Sequence, residues 1–213
     1  MRNSPDAPSF HLQDSRGNVG DNLMWWAIGG GYTSDLSKAE PFSEFDAFKQ
    51  HASRESDIPW PTGYLRDHAR PVVDMQYLPR HEEIPSEAIQ ASGLFYVQDA
   101  NRRYIGNDIC FRTRDGSSTT NLGLAGLFRA DELDGIPGVA WPRALVEAQR
   151  RPAVAAGAVD HKKALSDPWL RALLVKPERQ APERYRCHGC GVFMTVGNYY
   201  GSACQRCGKD NRP

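Results

Sequence analysis

A chain of 213 residues with 40% hydrophobic and 10% aromatic content can bury a real core, as one large or two modest domains. No run of about 18 apolar residues occurs, and the opening MRNSPDAPSFHLQDSRG lacks the apolar centre of a signal peptide, so no membrane span or export is expected and a cytoplasmic protein is. The formal net charge of zero hides a division: 13 Lys/Arg against 20 Asp/Glu up to Trp141 and 13 against 6 after it, about −7 and +7, which suits either a nucleic-acid-facing tail or an end made for an acidic protein surface.

In chain order, Phe10 to Gln13 reads as extended, turns at DSRGN, returns through VGDNLMWWA, and turns again at Gly29-Gly30-Gly31. Ser43 is placed to cap a helix through EFDAFKQHASRE, with Asp46 as a capping-box-like partner and Phe45, Phe48 and Ala52 spaced for one apolar face. Pro59, Pro61 and Pro71 punctuate the next stretch, with a short helical TGYLRDHA between them. Trp25 and Trp26 should face opposite sides of a strand, which makes Trp26 a candidate exposed anchor for a partner.

The same order then returns. GGYTSDLSKAEPF (30–42) and GSSTTNLGLAGLF (116–128) share five identities in thirteen positions, FHLQD matches FYVQD, and WPTGYLRDHARPVV matches WPRALVEAQRRPAV, at offsets of 86, 85 and 81. The offsets change only in segments that read as loops. This predicts two diverged modules, each a small antiparallel sheet with a helix, that can pair about a pseudo-two-fold axis. The second module shortens its helix to RADELDG. Cys110, in the strand-like YIGNDICFR, reads as a small buried hydrophobe.

SDPWLRALLVK has Ser166 as a cap and Pro168 in the first turn, then Trp169, Leu170, Leu173 and Leu174 at helical spacing, the pattern of an amphipathic helix. The charged, Pro-containing PERQAPER after it reads as a stiff linker. The expected fold is therefore α+β: a first module at 1–80, a second at 81–160, helix and linker at 161–183, and a zinc ribbon at 184–213.

Four of the five cysteines make that last segment: Cys187, Cys190, Cys204 and Cys207, as C-x2-C-x13-C-x2-C. The spacing resembles a zinc ribbon. A two-residue spacer lets both sulfurs of a pair reach one tetrahedral ion, and glycine after each second cysteine accommodates the turn. A disulfide framework is the alternative, but without a secretory signal one structural Zn2+ is the stronger reading, since four thiolates leave no open position for water. VFMTVGNYYGSA is expected to form a short hairpin around Gly197-Asn198, and His188 to face solvent. Arg184, Arg186, Arg206, Lys209 and Arg212, with Tyr185, Tyr199 and Tyr200, are candidate contacts for phosphate and bases or for a partner protein.

Trp25-Trp26, Gly29, Gly31-Tyr32-Thr33, Asp35, Ala39 and Phe42-Ser43 resemble a short "W…GYT…A…F(S/T)" module of small phage and prophage proteins. The second module departs from it, with Ser118 for Tyr32 and Phe111 for Trp25. The resemblance implies a non-enzymatic effector in a bacterial host's cytoplasm, bound to a host protein or nucleoprotein complex, such as an inhibitor of CRISPR-Cas defence. It supplies no catalytic residues. GSSTTNLG lacks the G-K-[ST] of a phosphate loop, no G-x-S-x-G or H-E-x-x-H occurs, and His11, His51, His68, His81, His161 and His188 are scattered, with no histidine of one module matched in the other. A nucleic-acid-binding accessory factor that uses the basic ribbon is the competing expectation; the acidic front of the chain, which repels phosphate, tips the choice to a protein partner.

Overall fold

The computed structural model describes residues 9–101, 103–174 and 184–211, and these fall into two compact units, within 1–175 and within 176–213. The PERQAPER linker, apart from its last arginine, and Arg212 lie outside the described residues. Among the described residues no helix is long and apolar enough to cross a membrane.

The first unit mixes strands and short helices. Its opening half runs β1 (Ser9–Val19), β2 (Asn22–Trp26), β3 (Tyr32–Thr33), β4 (Phe42–Ser43), α1 (Glu44–Ser53), β5 (Asp57–Pro61), α2 (Thr62–His68), β6 (Arg70–Val73) and α3 (Ser86–Gln90). Its closing half runs β7 (Phe95–Asp99), β8 (Tyr104–Ile105), β9 (Asp108–Ile109), β10 (Phe111–Arg112), β11 (Ser118–Thr119), β12 (Leu127–Phe128), β13 (Gly138–Pro142), α4 (Arg143–Ala148), β14 (Arg150–Ala153), α5 (His161–Ala164) and α6 (Pro168–Ala172).

Each half builds a five-stranded antiparallel sheet around one strand. β1 pairs with β2, β4 and β5, and β3 extends from β2; β7 pairs with β10, β12 and β13, and β11 extends from β10. The registers agree residue by residue. Phe10 opposes Pro61 and Phe42, as Phe95 opposes Pro142 and Phe128. Gln13 opposes Trp25, as Gln98 opposes Phe111. Two indole N–H groups that would otherwise be buried without a partner are satisfied in the same way: Trp60 donates to Gln13 Oε1 at 2.8 Å and Trp141 to Gln98 Oε1 at 3.2 Å.

Both faces of β1 are covered, so its alternation sends side chains into two different cores. Phe10 and Leu12 meet Ala47 and Phe48 of α1, with Leu165. The other face belongs to Leu23, Trp25, Leu36, Ala39, Trp60, Leu65 and Val154. The Ser43 hydroxyl caps α1 by accepting from the Asp46 N–H at 3.1 Å. The helix buries Ala47, Phe48 and His51, while Phe45 is 74% exposed; the apolar face is therefore turned from the expected Phe45/Phe48/Ala52 stripe because contact with Phe10, 5.6 Å from Phe48 ring to ring, sets the rotation. Cys110 is buried as expected.

The two sheets complete each other's cores. β6 pairs antiparallel with β14, Pro71 opposite Pro152, and the chain after each of these strands crosses to the other half. Val154 is buried among first-sheet residues, and Val73 is buried with Tyr96, Ile109, Phe111 and Trp141 of the second. The crossing is fastened by Leu23 N–H to Val154 O and Ala156 N–H to Asp21 O on one side, and by Met75 N–H to Asn107 O on the other, at 2.9, 2.8 and 3.0 Å. Farther along, Leu165 enters the Phe10 core and Ile84 the Tyr96 core.

The histidines correct the sequence expectation. His161 packs against Trp60, ring centroids 4.6 Å apart, with Nε2 donating to Pro59 O; His81 packs against Trp141 at 5.4 Å, with Nε2 donating to Ala140 O. They hold corresponding places, although their offset of 80 hides it in an ungapped alignment at 81. The helix predicted from Ser166 is also shorter than its pattern: α6 spans five residues, capped by Asp167, which accepts from the Trp169 N–H at 2.8 Å. Leu170 and Leu174 face the Phe10 core and Trp169 is 66% exposed.

Where the halves meet, Gly20 and Gly106 have φ of 63° and 62°, and a Cβ on either would lie 2.7 or 2.6 Å from the other's backbone nitrogen. Only glycine satisfies both the left-handed conformation and the approach. Beside them lies a buried polar centre. Arg151 bonds Asp108 at 2.6 Å and approaches Asp74 at 3.6 Å, Asn22 donates to Asp108 at 2.5 Å, and Arg70 bonds Asp21 at 2.6 Å. Burial raises the Asp108 pKa against the lowering pull of Arg151.

Arg151→Met should cost about 3–5 kcal/mol in urea denaturation, because it leaves two buried carboxylates without their cation. Asp108 then binds its proton more tightly folded than unfolded, so the loss should grow as pH rises and shrink as pH falls toward the unfolded value of 3.8. A pH-independent loss under about 1 kcal/mol would show that Arg151 does not hold this centre.

Candidate metal centre

The second unit is built around its cysteines. β15 (Arg184–Arg186) pairs with β16 (Phe193–Thr195), Arg186 opposite Phe193, and the chain between them forms the first cysteine turn. Gly191 N–H returns to Cys187 O at 2.9 Å and Gly208 N–H to Cys204 O at 2.7 Å, so the two C-x-x-C-G segments make the same turn. Gly191 and Gly208 close them at φ of 71° and 73°.

These turns bring the four sulfurs within 4.8 Å of one another, with Cys187 to Cys207 at 3.6 Å and Cys190 to Cys204 at 3.8 Å. A tetrahedral ion with bonds of about 2.3 Å requires sulfurs about 3.8 Å apart. The set therefore fits one metal ion, and with four protein ligands it is closed.

Electrostatics point the same way. The Cys190 backbone N–H leads the groups that hold the Cys187 thiol at about 6, with the Gly189 N–H, 3.3 Å from the sulfur, adding to it. Cys207 moves the other way: the Lys209 N–H favours its thiolate, but the Cys190, Cys187 and Cys204 sulfurs and burial push it up to about 12. Four sulfurs so close cannot all ionise without a cation between them, and a divalent ion resolves that conflict.

The remaining core is small: Met194 and Tyr199, with Cys187 and Cys204. The predicted hairpin around Gly197-Asn198 is instead helix α7 (Val196–Gly201), capped by Thr195, whose hydroxyl accepts from Asn198 N–H, and the hairpin is the one that carries the first turn. The helix carries Tyr199 into the core, stacked on Tyr185 at 4.8 Å, and the phenol meets His188 Nε2 at 2.8 Å. His188 is exposed and belongs to this contact rather than to the sulfur set. Asn211, 2% exposed, accepts from the His188 N–H at 2.9 Å and donates to Lys209 O at 3.1 Å, tying the two turns together. Sequence reasoning missed Asn211, because a lone asparagine after the last cysteine has no spacing rule to mark it.

Of the candidate contacts, Arg184, Arg186, Tyr200, Arg206 and Lys209 are exposed, Tyr185 is half-buried and Tyr199 is buried. Arg184 and Arg186 share the outer face of the hairpin with Phe193, and the Arg186 guanidinium lies 4.7 Å from the Phe193 ring centre. Arg206 and Lys209 flank Cys207 in the second turn. In the first unit, Trp26 is half-buried rather than open, with Tyr32 edge-on at 5.9 Å and Arg54 at 6.0 Å. Comparison with protein families, with curated proteins and with solved structures finds no match for the chain.

Purified chain should carry one metal ion per molecule by elemental analysis, and Cys187→Ser or Cys204→Ser should lose it. Acidification should release the ion as protons displace it from the thiolates. A full metal load in both variants would overturn the ligand set.

Proposed function

We propose that the chain is a non-enzymatic binding protein of the phage or prophage effector kind, which engages a host protein or nucleoprotein complex in the bacterial cytoplasm; an inhibitor of a defence system such as CRISPR-Cas is one concrete form. In this reading the centre holds one structural Zn2+, and the first unit is two diverged copies of one ancestral module. The agreement of the two sheet registers, down to the Trp60–Gln13 and Trp141–Gln98 bonds, supports the duplication. The W…GYT…A…F(S/T) resemblance supports the viral setting.

The observation that carries the reading is the closed four-sulfur set, which holds a small surface in shape and offers a substrate no open coordination position. The surface so held is the outer face of the hairpin, with Arg184, Arg186 and the 56% exposed Phe193. An arginine over an exposed aromatic is a common anchor in protein interfaces.

The second reading, nucleic-acid binding, draws on the same arginines with Tyr200. Charge weighs against it. Residues 184–213 carry five Lys/Arg against Asp210, a formal +4, but four thiolates around a divalent ion contribute −2 and leave +2. Arg206 and Lys209, beside Cys207, answer that local charge, so fewer cations remain for phosphate.

A pull-down of tagged full-length chain from bacterial lysate, with and without nuclease, tests the choice. A specific protein complex that survives nuclease and is lost with Arg186→Ala/Phe193→Ala upholds the effector reading. Loss of all bound material on nuclease treatment transfers the function to nucleic acid.

A further inference from the structure

One position of the fold is finished in the second sheet and left open in the first. His11 opposes Trp60 in β1–β5, and Tyr96 opposes Trp141 in β7–β13, so the two share a register position. Each lies beside the short helix that follows the tryptophan strand, whose first and fifth residues are Thr62 and Arg66 in α2, Arg143 and Glu147 in α4. In the second sheet these groups satisfy one another. Tyr96 OH donates to Glu147 at 3.2 Å and Arg143 Nε donates to the same carboxylate at 2.8 Å, beside a smaller and more open cavity of about 320 Å³ that Arg143 and Glu147 line.

In the first sheet the smaller His11 leaves a half-open cavity of about 510 Å³, with Leu36, Ala39, Pro41 and Ala69 among its walls. Its polar groups are not spent on each other. Thr62, 5% exposed, has a buried hydroxyl with no hydrogen-bond partner. The Arg66 guanidinium lines the cavity and has no hydrogen bond or ion pair among the described residues. His11 commits Nδ1 to the Glu40 carbonyl at 2.9 Å. Burial lowers its pKa, with the Glu40 carbonyl opposing the shift and Arg66 adding to it.

We infer that this cavity is a binding site for an aromatic carboxylate, whose ring lies at the register position that Tyr96 holds in the other sheet and whose carboxylate accepts from Arg66. The charge logic is the mirror of the second sheet: there a phenol donor meets Glu147, here an anionic acceptor meets Arg66. The volume suits one small aromatic acid or the terminal residue of a peptide. The site lies in the first unit and does not rest on the reading of the ribbon.

Phenylacetate titrated into the full-length chain, followed by calorimetry and by amide chemical shifts, tests it, with phenylacetamide as the neutral control and an N-acetylated peptide ending in phenylalanine as the second source of the same group. Phenylacetate should bind saturably, with shifts centred on His11 and Thr62, and the amide should not. Arg66→Gln should weaken binding about tenfold or more, as expected for loss of a charged hydrogen bond. Arg66 is exposed, so its variant should keep the wild-type amide spectrum elsewhere. Glu147→Gln, in the counterpart, should leave affinity unchanged. Tighter binding of the peptide than of phenylacetate identifies a partner's chain terminus as the occupant, and the reverse identifies a free acid; both uphold the site. No saturable binding of either carboxylate, or equal binding by wild type and Arg66→Gln, overturns it.

Discussion

The pairing of Arg70–Val73 with Arg150–Ala153 is the constraint on which the first unit depends. Neither five-stranded sheet closes its own core: the first needs Val154 and Leu165, the second Val73 and Ile84, and all four arrive from the opposite side of that strand pair. Each sheet is too small to bury enough apolar surface alone, so exchange makes one cooperative body out of two marginal ones. Pro71 and Pro152 face each other in this two-stranded ribbon, where the N–H that proline lacks is not needed by a third strand. The same crossing forces backbones together at Gly20 and Gly106, which is why that contact tolerates no side chain.

The crossing also fixes where polarity can be buried. Asp74 and Asp108 are drawn side by side by the Asp74–Asp108 bridge, and two carboxylates in a dry centre would repel. Arg151, 7% exposed, answers both. Such a centre adds little net stability beside an apolar packing of equal volume, since desolvation offsets the Coulomb attraction. Its effect is selective: an exchange shifted by one residue would strand the charges, so the network favours one register of β6 on β14.

Much of this is legible in the sequence, and the misses have physical causes. The match of WPTGYLRDHARPVV to WPRALVEAQRRPAV puts Trp60 and Trp141, and Pro71 and Pro152, at corresponding register positions, since each tryptophan lies opposite the central strand of its sheet and the two prolines oppose each other. Which sheet each tail serves is not legible, since periodicity reports which side chains are buried and not against what. For that reason Ile84 and Leu165, at the same offset of 81 as the tryptophans, lie outside the matched segments, and His81 and His161 look unrelated. In the ribbon, all four metal-site cysteines follow from spacing alone, because C-x-x-C geometry is local. Helix α7 does not, because Gly197 and Gly201 suggest a turn while the Thr195 cap and burial of Tyr199 decide for a helix.

The two units solve one problem by different means. The body within 1–175 can reach stability by exchanging segments between sheets, whereas the unit within 176–213, whose described core is Met194 and Tyr199 with two cysteines, cannot, and below about 40 residues a fold generally needs a cross-link or a metal. The ion that the sulfurs fit would therefore supply folding energy, not only geometry. A divalent ion on four thiolates would also bring −2 into a unit where Arg206 and Lys209 stand beside Cys207, while Arg184, Arg186 and Phe193 share the outer face of the hairpin. Under the proposed function, that face of two guanidinium groups and one aromatic ring would meet a protein surface with carboxylates around an apolar spot, whereas a run of phosphates would call for a longer track of cations.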